Sequence, residues 1–276
     1  NVDFHITALQ KFGATISNGN GAYEAKLDKR LSSCHINLPY PSVGATETCL
    51  FLAVLAKGTS VITNIAIEPE IIELITLLRS MGAIILMTGN REVTIQGVDK
   101  LNGTEFTLIG DRIEGASWAS LACASGGSIL LKGVRPDLFG NFLSYYTLVG
   151  GDYKIIDHDK IYFSRKKKEL SPVILETNVF PGFSTDWQQP FAVMLTQANG
   201  ISVIHETVYE QRMGYAKILQ SLGAKVQTAK HCLGKPCRYN GYDHDHSMLI
   251  QGATPLYAIN QSISIPDVRA GLAYLI

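Results

Sequence analysis

The sequence predicts an α/β protein of two domains assembled from repeated βαβαββ units, and three observations lead there. The chain has 276 residues, 46% hydrophobic and only 17% charged; at roughly 100–200 residues per domain and a usual charged share of about 25%, that is enough for two domains with large cores. Helical and strand periodicities alternate along the chain. Small residues and glycines recur in a fixed register. Gly44 to Gly58, Arg112 to Gly126 and Asp186 to Gly200 each span 14 positions, while Gly58 to Gly82, Gly126 to Gly150 and Gly200 to Gly223 span 24, 24 and 23.

Each copy opens with an apolar helix ending at glycine: GATETCLFLAVLAKG, RIEGASWASLACASG and DWQQPFAVMLTQANG. A short β run follows, then a second helix, EPEIIELITLLRSMG, PDLFGNFLSYYTLVG or YEQRMGYAKILQSLG, and then two strands. The first of these second helices shows why the pattern folds. Pro69 between Glu68 and Glu70 suits a first helical turn, where the proline lacks only an orphan N–H and acids face the positive end of the helix dipole. Ile71, Leu74, Ile75, Leu78 and Met81 then line one face, and Gly82 ends it. Residues 2–17 read as the close of an earlier copy and 266–276 as the start of a later one. The domain boundary is expected near Gly110, giving domains 1–109 and 110–276. Asn1 stands inside a helical pattern and Ile276 ends in one, so the sequence is expected to be cut between two further segments.

Composition excludes several classes of function. Lys and Arg together number 24, as do Asp and Glu, so no overall field draws nucleic acid or acidic lipid. The longest apolar run, LFLAVLA, is far short of the ~18 residues that suggest a membrane span. Neither nucleic acid nor membrane is expected as a partner. Five scattered cysteines, at 34, 49, 123, 232 and 237, argue against a disulfide scaffold and for a reducing compartment; the expected location is cytoplasmic.

Chemistry is sought where one copy departs from the others. The first helix opens on Gly44, Arg112, Asp186 and, in the partial fourth copy, Arg269. Free N–H groups at such starts make Ser42-Val43-Gly44 and Asp267-Val268-Arg269 natural anion-contact turns. Taken alone, Asp186 reads first as a helix cap and otherwise as a reacting group, and Arg212 first as a solvated surface arginine and otherwise as an anion ligand. The stretch HCLGKPCRYNGYDHDH, with His231, Cys232, Cys237, His244 and His246, has zinc-ligand types at spacings looser than zinc ribbons. A polar loop is the favoured reading there, and no metal is expected. Arg165 to Lys168 reads as a solvated linker, Cys34, Cys49 and Cys123 as inert core thiols, and Trp118 and Trp187 as packing residues.

Six strings in one order (PSVGAT at 41–46, EPEI at 68–71, DRIE at 111–114, PGFSTDWQ at 181–188, TVYEQR at 207–212 and PDVRA at 266–270) resemble the UDP-N-acetylglucosamine 1-carboxyvinyltransferase family, enolpyruvyl transferases of peptidoglycan synthesis. The resemblance runs over essentially the whole chain. It implies an inside-out α/β barrel, EPSP synthase-like, of two domains that close over their substrates, with residues 1–109 on the nucleotide-sugar side. The implied substrates are UDP-N-acetylglucosamine and phosphoenolpyruvate, with no cofactor and no metal. The resemblance matches Val2, Asp3, Phe4, Tyr40, Pro41, Ser42, Val43, Asp186 and Val208 to nucleotide-sugar contacts and Glu68 to a sugar-side carboxylate. Asp186 also matches the general base, Arg212 and Arg269 the phosphoenolpyruvate ligands, and Arg112 an arginine of loop closure. The family's reactive cysteine falls upstream of Asn1, so the chain as given lacks that proton donor. Tyr40 stands for a usual Lys, Ile67 for an Arg and Tyr209 for a common Phe. Alternatives are a shikimate-pathway enolpyruvyl transferase, similar in repeats but not in these strings, and a noncatalytic UDP-sugar-binding paralogue.

Overall fold

The computed structural model describes residues 2–19, 21–259, 262–265, 267 and 271–276. They form two compact units, 1–108 and 109–276.

In the first unit, α1 (Asp3–Lys11) leads into a hairpin of β1 (Thr15–Gly19) and β2 (Ala22–Lys26), the close of a copy as expected. Then follow β3 (His35–Asn37), α2 (Val43–Ala53), β4 (Thr59–Thr63), α3 (Pro69–Ser80), β5 (Ile84–Gly89) and β6 (Glu92–Gln96). The sheet order is β3-β4-β6-β5, with β3 and β4 parallel and the other pairs antiparallel. Leu50, Ile62, Ile71, Ile75, Val93 and Ile95 form its buried core, with Phe12 of the preceding segment. The helical stripe read at Ile71 and Ile75 is therefore the buried face.

The second unit holds two copies. The earlier comprises α4 (Arg112–Ser125), β7 (Ser128–Lys132), α5 (Phe142–Val149), β8 (Gly151–Asp157) and β9 (Lys160–Arg165), with sheet order β7-β9-β8. The later comprises β10 (Ile174–Glu176), α6 (Gln188–Leu195), β11 (Gly200–His205), α7 (Tyr215–Ser221), β12 (Lys225–Ala229) and β13 (Ser247–Gly252), and α8 (Gly271–Leu275) follows. Its sheet order, β10-β11-β13-β12, repeats that of the first unit. The middle copy departs from the expected pattern. Residues 97–111 form no strand, because GVDKLNGTEFTLIGD carries three glycines and no sustained apolar alternation, so this copy is αβαββ.

The glycine register has a backbone cause. Gly58, Gly126 and Gly200 have φ of +100°, +75° and +134°, and Gly82, Gly150 and Gly223 have +99°, +125° and +100°. All six sit where a Cβ would be strained, so each copy turns at the same places.

Aromatic packing joins the two copies of the second unit. The Phe142 ring lies 5.5–6.4 Å from those of Phe139, Tyr146, Phe163, Phe183, Trp187 and Phe191. Trp187 is thus a packing residue as expected, but Trp118 is not: it is 36% exposed, and its indole N–H donates to Glu114 one turn earlier. Cys49 and Cys123 are buried, whereas Cys34 is half-buried. The basic run 166–168 is exposed, with Arg165 folded back onto the carbonyls of Lys167 and Lys168. Among the described residues no helix is long and apolar enough to cross a membrane.

One connection breaks the repeat. The β5–β6 and β8–β9 turns take two residues each, 90–91 and 158–159, but β12 and β13 are joined by the 17 residues 230–246.

Candidate functional site

The second unit gathers its polar side chains at the entry to α6. Ser184 caps the 3-10 turn Thr185–Trp187 by accepting from the Asp186 N–H at 3.3 Å. Of the two readings of Asp186, the helix cap is therefore filled by Ser184. The Asp186 carboxylate lies 2.6 Å from Arg212 Nη1. Trp187, buried beside it, fixes the turn to the aromatic core.

Arg212 is not a solvated surface arginine. Its side chain is only 5% exposed and stands in a 3-10 turn, Arg212–Gly214, ahead of α7. Its Nε donates to Asp267 at 3.0 Å and its Nη1 to Thr185 Oγ1 at 2.8 Å. The guanidinium carbon lies 4.4 Å from the Tyr209 ring centroid. Burial opposes its charge, but the carboxylates of Asp186 and Asp267 outweigh that and hold its pKa above the ordinary value. Asp186 is 29% exposed, so the pair offers a reachable carboxylate backed by a buried cation.

Behind this pair sits Glu206, which the sequence reading did not single out. It is fully buried. One oxygen accepts from Thr177 Oγ1 at 2.8 Å and from the N–H groups of Val208 and Tyr209 at 2.5 and 2.8 Å. The other accepts from Thr185 Oγ1 at 2.6 Å and from the Gln188 amide. Val208 is thereby fixed by its backbone, and Thr185 bridges Glu206 to Arg212. Gln188 also accepts from Tyr215 O–H at 3.2 Å, and Gln189 donates to Asp267 at 3.1 Å. Buried tyrosine and glutamines thus extend one connected network.

Arg112 opens α4 behind Asp111, whose carboxylate accepts from the N–H groups of Ile113 and Glu114 at 2.8 and 3.0 Å. It is buried, with its guanidinium carbon 5.6 and 5.0 Å from the rings of Phe180 and Trp187. These cation–π contacts link it to the segment bearing Asp186. Arg269 lies outside the described residues.

The first unit carries the other candidates. Val2 precedes α1 and is exposed; Asp3 and Phe4 line a cleft of about 200 Å³ together with Thr7, Ile36, Leu38 and Pro39. Tyr40 and Pro41 lead from that cleft to Ser42, which caps α2 by accepting from Ala45 N–H at 3.4 Å. Thr46 Oγ1 donates to the Ser42 carbonyl at 2.7 Å and accepts from Ala66 N–H at 2.9 Å, which ties the turn at Ser42–Val43 to the segment ending at Glu68. Glu68 is the residue before α3. Gly44 lets α1 approach: a Cβ there would lie 3.1 Å from the His5 ring, whose Nδ1 meets Thr48 Oγ1 at 2.7 Å.

The 230–246 connection is a loop, as the sequence suggests, and it gathers ligand-type side chains. Cys232, Cys237 and His246 converge with His205 of β11, one ligand atom from each lying within 4.8 Å of all the others. His231 and His244 lie outside this set. The sequence reading missed His205, a lone histidine at the end of an apolar strand.

A model of the EPSP synthase (3-phosphoshikimate 1-carboxyvinyltransferase) family matches residues 2–273. The chain belongs to this family. Among curated relatives it is 45% identical to the UDP-N-acetylglucosamine 1-carboxyvinyltransferase of Protochlamydia amoebophila (strain UWE25), over 99% of this chain and 59% of the relative. It is 43% identical to the protein of that name from Chlamydia pneumoniae, again over 99% and 59%. The chain thus spans about 60% of the length of the curated relatives it matches. The enolpyruvyl transferase NikO from Streptomyces tendae superposes with a TM-score of 0.81 at 22% identity, over 99% of this chain and 63% of that one. An EPSP synthase from Acinetobacter baumannii gives 0.61 at 17%, over 99% and 62%. These structures share the fold that the resemblance of the six strings implies.

Proposed function

We propose that this EPSP synthase-family chain carries the substrate-binding core of an enzyme that transfers the enolpyruvyl group of phosphoenolpyruvate to the 3-hydroxyl of UDP-N-acetylglucosamine and releases phosphate. In the cell this would be the first committed step of peptidoglycan synthesis, in the cytoplasm. The observation that carries the reading is the Asp186–Arg212 pair, a carboxylate and a buried guanidinium 2.6 Å apart, in a chain whose relatives at 43–45% identity bear that enzyme's name.

The chemistry suits these groups. Asp186 accepts the proton of the sugar hydroxyl as its oxygen adds to the central carbon of phosphoenolpyruvate. A donor supplies a proton to the methylene carbon, giving a tetrahedral intermediate; loss of a proton from that carbon then expels phosphate. Arg212, with Arg269, neutralises the carboxylate and phosphate of phosphoenolpyruvate, which planar guanidinium forks match. Glu206 and Thr185 hold Arg212 and Val208 in place. Val2, Asp3, Phe4 and the Tyr40–Val43 turn contact the nucleotide, Glu68 the sugar, and Arg112 steadies the Asp186 segment during closure.

The test is phosphate release by the protein carrying this chain, given phosphoenolpyruvate with either UDP-N-acetylglucosamine or shikimate 3-phosphate. Release only with the first is expected. Asp186→Ala should lower it by about 10²–10⁴-fold, the usual contribution of a general base, with circular dichroism unchanged. Near-normal turnover in that variant sinks the role given to Asp186, and release only with shikimate 3-phosphate sinks the substrate assignment.

A further inference from the structure

Four side chains with metal-ligand chemistry meet at the end of β11, outside the site described above. Cys232 and Cys237 come from the 230–246 connection, His246 from its last residue, and His205 from the strand itself. The two histidines are buried and the two cysteines half-buried.

The spacings from Cys232 to two of the others match a coordination sphere, and all four ligand atoms lie within 4.8 Å of one another. A tetrahedral zinc with bonds of about 2.3 Å to sulfur and 2.05 Å to nitrogen separates two sulfurs by about 3.8 Å, and a sulfur from a nitrogen by about 3.6 Å. Cys232 Sγ lies 3.7 Å from Cys237 Sγ and 3.5 Å from His246 Nε2. A disulfide, at about 2.05 Å between sulfurs, is not what 3.7 Å describes.

The surroundings position three of the four ligands. His205 Nε2 is buried without a hydrogen-bond partner, a costly state for an imidazole nitrogen unless something binds it. Its other nitrogen, Nδ1, lies 3.2 Å from Glu176 Oε2, the carboxylate–histidine arrangement that orients a metal ligand. His246 Nδ1 faces the His244 carbonyl at 3.1 Å, leaving Nε2 for the cluster. The Tyr239 N–H donates to Cys237 Sγ at 3.3 Å and holds that sulfur in place. Gly234 between the cysteines has no room for a side chain, since a Cβ would lie 2.7 Å from both Glu176 Oε2 and His205 Nδ1.

We propose that His205, Cys232, Cys237 and His246 bind one zinc ion in a closed tetrahedral Cys2His2 site that fastens the 230–246 connection to the end of β11. Two thiolates with two imidazoles select zinc over calcium or magnesium, which take oxygen ligands. Four protein ligands leave no open position, so the ion is structural. It explains how 17 residues without a strand or helix stay ordered where other copies use a two-residue turn. The fastened loop in turn reaches the neighbouring segment through Tyr239, whose hydroxyl donates to the Val208 carbonyl at 2.8 Å.

The experiment is metal analysis of the protein purified under reducing conditions with added zinc and then desalted. About one zinc per chain is expected, and less than a tenth of that in the Cys232→Ser/Cys237→Ser double variant. A zinc-free wild type, or zinc retained in full by the double variant, overturns the proposal. Cobalt supplies a readout that needs no variant to fold: titrated into the metal-stripped wild type, it should give thiolate charge-transfer and intense tetrahedral ligand-field absorption, saturating at one equivalent and displaced by zinc. Absence of those bands also overturns the proposal.

Discussion

Replacing Glu206 by glutamine tests whether the carboxylate is the hub that its five hydrogen bonds imply. The amide carbonyl can keep the bonds from Thr177 Oγ1 and from the Val208 and Tyr209 N–H groups. The other oxygen becomes an NH2 group aimed at two donors, the Thr185 hydroxyl and the Gln188 amide. Thr185 must then surrender its own donor bond. Gln188 must flip and present its NH2 group to the Tyr215 hydroxyl that now donates to it. Each mismatched buried donor costs about 1–3 kcal/mol, and the bonds that remain lose their charge assistance, so a total of about 3 kcal/mol is expected. The assay is urea unfolding followed by tryptophan fluorescence. The chain's only tryptophans are Trp118 and Trp187, both in the unit that contains Glu206, so the signal reports that unit alone. The midpoint should fall with the slope unchanged, and Glu206→Ala, which strands all five donors, should fall further. A loss below about 1 kcal/mol for Glu206→Gln would refute the hub.

Burial holds the Cys49 thiol up at about 12 and the Cys123 thiol at about 11. Both should therefore resist alkylation in the native protein at pH 9 and react on unfolding, as mass spectrometry would read. The unfolded thiol ionises first, near the ordinary value of 9.0, so the stability Cys123 contributes is whole below pH 9 and is lost as pH rises toward about 11, at about 1.4 kcal/mol per pH unit. Tyr146, also raised by burial, adds loss of the same sign above pH 10. Cys123→Ala should flatten the slope between pH 9 and 10; an equal slope in that variant would refute the assignment. Gly97→Ala should disrupt the first unit, because its Cβ would fall 1.6 Å from the Ala56 carbonyl oxygen and backbone must move, a cost of about 3 kcal/mol or more. Hydrogen exchange at Ile62, Val93 and Ile95 should quicken while the core around Phe142 stays protected; unchanged exchange would count against the close approach.

The repeat was legible because its signals are local. A glycine at positive φ, a proline in a first turn and an apolar stripe each act within one helix or turn, so Gly82, Pro69 and Ile71 announce their roles in the chain itself. The missing first strand of the middle copy was not announced, since symmetry with its neighbours suggested a strand that 97–111 lacks the alternation to form. Asp186 and Arg212 were found through short strings, but their contact was not. Thr185 and Glu206 join them across 21 residues of chain, and nothing in HETVYEQR distinguishes a buried carboxylate from the polar end of a strand. Cys232, Cys237 and His246 were visible as ligand types, yet their loose spacing favoured a loop because the fourth ligand stands 27 positions upstream of the first cysteine.

Pairing supplies that ligand. The β11–β13 register sets His205 opposite Ser247, and the Glu206 N–H donates to the His246 carbonyl at 2.7 Å, so the β11–β13 ladder brings His205 and His246 together. Successive residues of a strand point to opposite faces. His205 therefore turns toward the 230–246 connection and Glu206 toward Thr185 and Arg212. One strand end thus builds two sites back to back. A register slip of one residue in β11 would set either the Glu206 carboxylate against the thiols, with Thr207 behind Arg212, or the His205 imidazole behind Arg212, with Ile204 against the thiols. Both sites depend on the same pairing, and the strongly apolar β11 and β13, with Ile204, Met248 and Ile250 buried, are what hold it.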